Sequence, residues 1–168
     1  ALLSDETLDR VRRLADELEL PICMHVNESR GSEPSLERLE RLGLLSPLLA
    51  AVHMVKLDSA DVERVAAAGV SVVHCPQSNL RHGSGLCPVP LFKDRGVNVA
   101  LGSGGVSNND QLAELRTAAL IANTLFPAAT PVDAHEWLQT ATLNGARALG
   151  LAEAIGSLTP GKWADIAC

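Results

Sequence analysis

The chain contains no tyrosine, and two tryptophans and two phenylalanines are its only aromatic residues, 2% of its 168. Its core must therefore be built from Ala, Val, Leu and Ile, which suits helices packed on short buried strands. Positive charge is also scarce. Fourteen Lys and Arg face twenty Asp and Glu, a formal charge of −6. Without a basic patch interleaved with aromatic rings, nucleic acid and anionic membrane are excluded as main partners. No apolar run approaches the ~20 residues of a membrane span. The opening ALLSDET has neither the charged region nor the long apolar core of a secretory leader.

The four cysteines (Cys23, Cys75, Cys87, Cys168) form no C-x-x-C pair. They read as free thiols in a reducing cytoplasm, with Cys23 and Cys75, inside apolar runs, as small buried hydrophobes. The chain has no initiator methionine and stops at ADIAC, so it reads as an excerpt of a longer one.

What is present is a regular alternation. Ser4 caps a helix whose Leu8, Val11, Leu14, Ala15 and Leu18 recur at helical spacing, and Pro21 ends it. Ile22 to Val26 is a buried strand, followed by a polar loop from Asn27 to Pro34 and a helix from Leu36 to Leu42. Leu48 to Val55 is strand-like, and Asp58 caps a helix through Ala68 that Gly69 closes. Val70 to His74 is the third strand, Cys75 to Gly85 a loop, and Val89 to Arg95 a short helix. Val97 to Leu101 is the fourth strand. Asn109 or Asp110 caps a long helix through Phe126, and Pro131 to Leu149 is helical with breaks. Short apolar strands alternating with helices predict an α/β fold of parallel βα repeats. These repeats fit a small open sheet or half of a (β/α)8 barrel.

In such folds the carboxyl ends of the strands carry the working groups. His25, His53 and His74 fall there on successive strands, which points to metal binding or proton transfer. Glu28, three residues past His25, reaches the same cleft and supplies a carboxylate for proton shuttling. His82, in a loop, and His135, in a helical segment, read as surface residues. Gly102-Ser-Gly-Gly105 lacks the spacing and the lysine of a phosphate-binding loop, and no G-x-S-x-G elbow supports a serine hydrolase.

The motifs MHVNES, AVHMVKL, SVVHCPQSNL, NVALGSGGVSNND, LRTAALIANTL, ATLNGARALGL and IGSLTPGKWADI occur in that order along nearly the whole chain. Together they resemble the C-terminal half of metal-dependent amidohydrolases of the 5-methylthioadenosine/S-adenosylhomocysteine deaminase and chlorohydrolase type. The resemblance implies strands five to eight of a TIM-type barrel across residues 1–168, with the junction to a small β-domain at 156–168. It implies zinc-dependent hydrolytic deamination of an aminopurine nucleoside. His25 then matches the fifth-strand metal ligand, and His53 the sixth-strand histidine that binds the metal or polarises water. Glu28 matches the acid/base carboxylate that handles the water and the substrate's ring nitrogen. His74 opens the strand-seven HCPxSN motif, a structural and pocket feature.

Three departures accompany the match. No H-x-H pair occurs in this chain. Gly104, in LGSGG, stands where the family's LGTDG has its metal-binding Asp. Lys56 stands where relatives carry a second histidine. The expectation is a zinc site left incomplete and a deaminase impaired or inactive by itself. The alternatives are a degenerate, non-catalytic module that self-associates through the open half-barrel, and a stand-alone α/β domain that binds a small ligand at its strand ends.

Overall fold

The computed structural model describes residues 3–28, 35–105, 110–126 and 131–166. Helix α1 (Asp5–Leu18) starts at Ser4, whose hydroxyl accepts from the Thr7 amide at 3.2 Å. It leads into β1 (Ile22–Val26), α2 (Leu36–Arg41), β2 (Leu49–His53) and α3 (Ser59–Ala67). Asp58 and Asp61 cap α3 reciprocally, each side chain accepting from the other's backbone amide. Then come β3 (Ser71–His74), α4 (Pro76–His82), α5 (Val89–Asp94), β4 (Val99–Leu101), α6 (Gln111–Leu125), α7 (Ala134–Thr140) and α8 (Leu143–Ala148).

The strands form one parallel sheet in the order β1-β2-β3-β4. This is the expected run of βα units. Strand alternation then sorts side chains to two faces. Val26, Leu49, Ala51, Val72 and Val99 join the main core with Leu8, Leu39, Val65, Phe92 and Trp137 from the helical layer. The other face carries small groups. Ala50, Ala100 and Val73 pack with Ala148 of α8. Asn98 and Asn144 fasten α8 to the start of β4, each side-chain amide donating to a backbone carbonyl of the other segment, Asn144 O and Val99 O, at 3.0 Å.

Three expectations change. The stretch 75–85 is not all loop, because α4 occupies Pro76–His82. Proline is favoured in a helix's first turn, and Gly83 closes α4 at φ 61°. His82 accordingly ends α4 instead of lying in a loop. Cys23 is exposed, not buried. Its place in β1, paired with Ala50, puts it on the small-residue face, which no helix among the described residues covers at that edge. On α1 only Leu8 and Ala15 are buried, while Val11, Leu14 and Leu18 are exposed. Asp110, with its carboxylate 2.9 Å from the Ala113 amide, is the cap of α6. Asn109, the other candidate, lies outside the described residues, as does Cys168.

Candidate metal and proton-transfer site

The carboxyl ends of β1 and β2 leave the sheet together. The Asn27 carbonyl accepts from the Val55 and Lys56 amides at 3.1 and 2.9 Å, and the Asn27 side chain donates to the Lys56 carbonyl at 3.2 Å. Met54 donates to the Val26 carbonyl at 3.0 Å. These bonds continue the ladder past the last strand residues, where the backbone becomes left-handed. Positive φ occurs at Asn27 (52°), His53 (79°) and Met54 (49°). Of the described non-glycine residues only Glu19, in a helix cap, shares this feature. Strain of this kind concentrates at functional sites.

The strain has a geometric result. In the register, His53 pairs with Val26, and His25 pairs with Val52. Regular alternation would turn His53 towards the helices with Val26, away from His25. The left-handed φ at His53 turns its Cβ out of that alternation. The two imidazoles meet edge to face, with ring centroids 4.6 Å apart and planes at 86°.

Glu28 closes the triangle. One carboxylate oxygen lies 3.6 Å from His25 Nδ1 and the other 3.7 Å from His53 Nε2. Donor atoms of His25, Glu28 and His53 all fall within 4.8 Å of one another, close enough to share a cation. The three residues differ in setting. The His25 side chain is 58% exposed, that of Glu28 23%, and that of His53 1%. The cluster thus has a buried corner and an open one.

Asn79 of α4 fixes the buried corner. Its Oδ1 lies 2.7 Å from His53 Nδ1 and accepts that proton. In the neutral ring this leaves the lone pair on Nε2, the nitrogen that faces Glu28. Such an outer partner is what orients a metal-binding histidine and sets its tautomer. The residues present therefore suit zinc, with two imidazoles and a carboxylate whose donor atoms lie within 4.8 Å of one another.

Of the sequence candidates, the structure brings together His25, Glu28 and His53. His74 ends β3 and is 3% exposed. Burial, and second the nearby His53, hold its pKa down from 6.5 to about 3. His74 therefore stays neutral in the folded chain while the unfolded chain takes up a proton. The stability this contributes is complete above about 6.5 and is lost as pH falls from there towards 3. His74→Gln should flatten the decline of the urea midpoint between those limits, and an unchanged decline would count against it. Lys56 is exposed, its Nζ close to Gly85. His135, on α7, is also exposed. Burial pushes the Cys75 thiol up to about 12 and raises that of Cys87 as well, so neither serves as a thiolate nucleophile.

Gly104 contributes no side chain to the cluster, and the site has closed around it. A Cβ built there would meet the Ser78 Cβ and Oγ, both at 2.7 Å, and the Cys75 Cβ at 3.2 Å; its φ is 64°. The turn after β4 rests on α4 at a spacing that only glycine permits.

Two residues were missed at the sequence level. Asn79 stood within the quoted HCPQSN motif but was assigned to a loop, although Pro76 and Gly83 bracket a helix. Glu114 is fully buried in the first turn of α6, where its Oε2 accepts from the Gln77 amide at 3.0 Å. An acid in a helix's first turn ordinarily reads as solvated, so nothing in the sequence singled it out.

Residues 3–168 match the profile of the Amidohydrolase family. Over 98% of its length the chain is 41% identical to a 5-methylthioadenosine/S-adenosylhomocysteine deaminase of Teredinibacter turnerae, of which it covers 40%. A 5'-deoxyadenosine deaminase of Methanothermobacter thermautotrophicus is 38% identical over 97% of the chain, again covering 40% of that protein. Among solved structures, an adenosine deaminase from Xanthomonas campestris with bound zinc superposes with a TM-score of 0.90 at 42% identity, covering 97% of this chain and 40% of that one. The chain thus spans about two fifths of the length of these relatives, and its four-stranded sheet corresponds to part of their TIM-type barrel. With the family profile covering nearly every residue, the chain belongs to the amidohydrolase family.

Proposed function

We propose that this chain carries the fifth-to-eighth-strand side of a zinc-dependent aminopurine-nucleoside deaminase site, and that alone it is impaired. The convergence of His25, Glu28 and His53 carries the reading. His25 and His53 would hold the metal, and a bound zinc supplies Lewis-acid activation of water. Glu28, within reach of both imidazoles, takes the proton from the attacking water and passes it to the ring nitrogen of the substrate. Asn79 keeps His53 in the tautomer this arrangement needs. The cluster's openness at His25 leaves a side from which a planar base can approach.

Impairment follows from counting donors. A catalytic zinc takes three protein ligands and keeps a position open. If Glu28 is reserved for proton transfer, His25 and His53 remain, and Gly104 adds none. The substrate class rests on the relatives named as deaminases of 5-methylthioadenosine, S-adenosylhomocysteine and 5'-deoxyadenosine.

The test is ammonia release from 5'-methylthioadenosine with zinc. The chain alone should do no better than its Glu28→Gln variant. Fused to the amino-terminal remainder of the Teredinibacter relative, it should gain slow turnover that Glu28→Gln lowers by ~10²–10⁴-fold. Robust turnover by the chain alone would overturn the impairment, and fused turnover indifferent to Glu28→Gln would overturn the assignment of Glu28.

A second reading, a non-catalytic self-associating module, draws on the exposure of Cys23 and His25 along the outer strand β1. Sedimentation separates the two. A stable dimer that protects Cys23 from alkylation and binds no zinc would favour the module.

A further inference from the structure

We infer that Glu114 is a positioning residue for the histidine–carboxylate cluster, acting on His53 through helix α4. The inference rests on the site reading above, since it concerns how that site is held.

Helix α4 has a weak start of its own. Cys75 occupies the cap position and provides no side-chain acceptor for the first-turn amides. Yet α4 carries Asn79, which holds His53 Nδ1, so any tilt of α4 is transmitted to the buried corner of the cluster. Orphan amides at a helix start need an acceptor when water is excluded. Glu114 supplies one from a different helix, with Oε2 on the Gln77 amide at 3.0 Å. Gln77 and Asn79 lie two residues apart on the same short helix.

Glu114 is placed chiefly as an acceptor: Arg81 acts on its carboxyl only through its charge, with no contact ion pair to Glu114 among the described residues. It is fully buried, and its second oxygen, Oε1, is buried without a hydrogen-bond partner. Burying a carboxylate with one orphaned oxygen is costly, and stability alone gives little reason to keep it there. Its hydrogen bond from the Gln77 amide secures the helix that orients His53. The far side of the same turn is fixed by the contact of Gly104 with Ser78 and Cys75. Helix α4 is thus held between α6 and the turn after β4, with Asn79 facing the cluster.

The experiment compares Glu114→Met, which keeps the volume and deletes the acceptor, with Glu114→Gln, which keeps an acceptor oxygen. The first readout is the tautomer of His53 in the metal-free chain, from long-range ¹H–¹⁵N imidazole spectra. The second is zinc affinity. Val65→Ala, in the core on α3, controls for loss of stability. The expected result is a single Nδ1–H tautomer in the parent chain, Glu114→Gln and Val65→Ala, and a mixture in Glu114→Met. Zinc affinity should fall ~10–100-fold in Glu114→Met, the range typical of outer-shell changes, and recover in Glu114→Gln. An unchanged tautomer in Glu114→Met, or a Val65→Ala chain as mixed as Glu114→Met, overturns the inference. If Glu114→Met does not fold, a mixed tautomer in Glu114→Gln overturns it equally. A parent chain that binds no zinc but shows the expected tautomer pattern sinks the metal reading and leaves this one standing.

Discussion

Gly104→Asp is expected to destabilise the chain by about 2–4 kcal/mol, adding strain in the left-handed region to overpacking against α4. On the proposed reading an aspartate here would repair a site missing a ligand, but the geometry opposes it. The Cβ alone would lie 2.7 Å from two atoms of Ser78, and Ser78 is 1% exposed on a helix that cannot swing aside without moving Asn79. Ser78→Gly removes both clashing atoms and leaves the Cys75 Cβ at 3.2 Å as the tightest neighbour. The double variant Ser78→Gly/Gly104→Asp should therefore regain part of the lost stability, seen as a non-additive urea midpoint. If Gly104→Asp unfolds within about 0.5 kcal/mol of the parent, the range of a neutral surface change, the turn adapts and position 104 is not closed.

His53→Ala is the second large effect, expected to cost about 2–4 kcal/mol in stability and most of the zinc affinity. The ring is fully buried, so its removal leaves a cavity, and the Asn79 Oδ1 loses its donor. The left-handed backbone at His53 persists in the variant with nothing left to position, so the strain is not recovered. A His53→Ala chain as stable as the parent would show that the Asn79 contact and the buried ring contribute little to the fold. Unaltered zinc affinity would remove His53 from the metal site.

Strands and helices were legible because apolar runs and helical spacing alternate cleanly. Ser4, Asp58 and Asp110 marked three helix starts correctly. The clustering of His25, Glu28 and His53 was legible for a similar reason, since each sits at or just past the carboxyl end of a strand. Three features were not. The meeting of His25 and His53 depends on a left-handed φ at His53, which the sequence does not announce, because positive φ is uncommon at any given non-glycine residue even though histidine is among the types that adopt it more often. The polar string QSN hid helix α4 behind residues that favour turns, although Pro76 and Gly83 mark its ends. The burial of Glu114 is purely tertiary, a consequence of α6 crossing the start of α4. Cys23 failed in the other direction. An apolar run identifies a strand but not which of its faces a neighbouring layer will cover.

The same division explains why the family can be recognised while activity does not follow from it. The scaffold motifs that place His25, Glu28 and His53 are present. Under the proposed reading, the place of the missing ligand is held by Gly104, where a Cβ would collide with Ser78.

Zinc binding by the isolated chain, measured by equilibrium dialysis after chelator treatment, tests the account most directly. His25 is the informative position, because its side chain is 58% exposed and its loss should leave the fold intact. The account predicts about one zinc retained per parent chain. It also predicts at least about tenfold weaker binding by His25→Ala, with an unfolding midpoint within about 0.5 kcal/mol of the parent. A parent chain that retains no zinc, or a His25→Ala chain that retains as much as the parent, would contradict it.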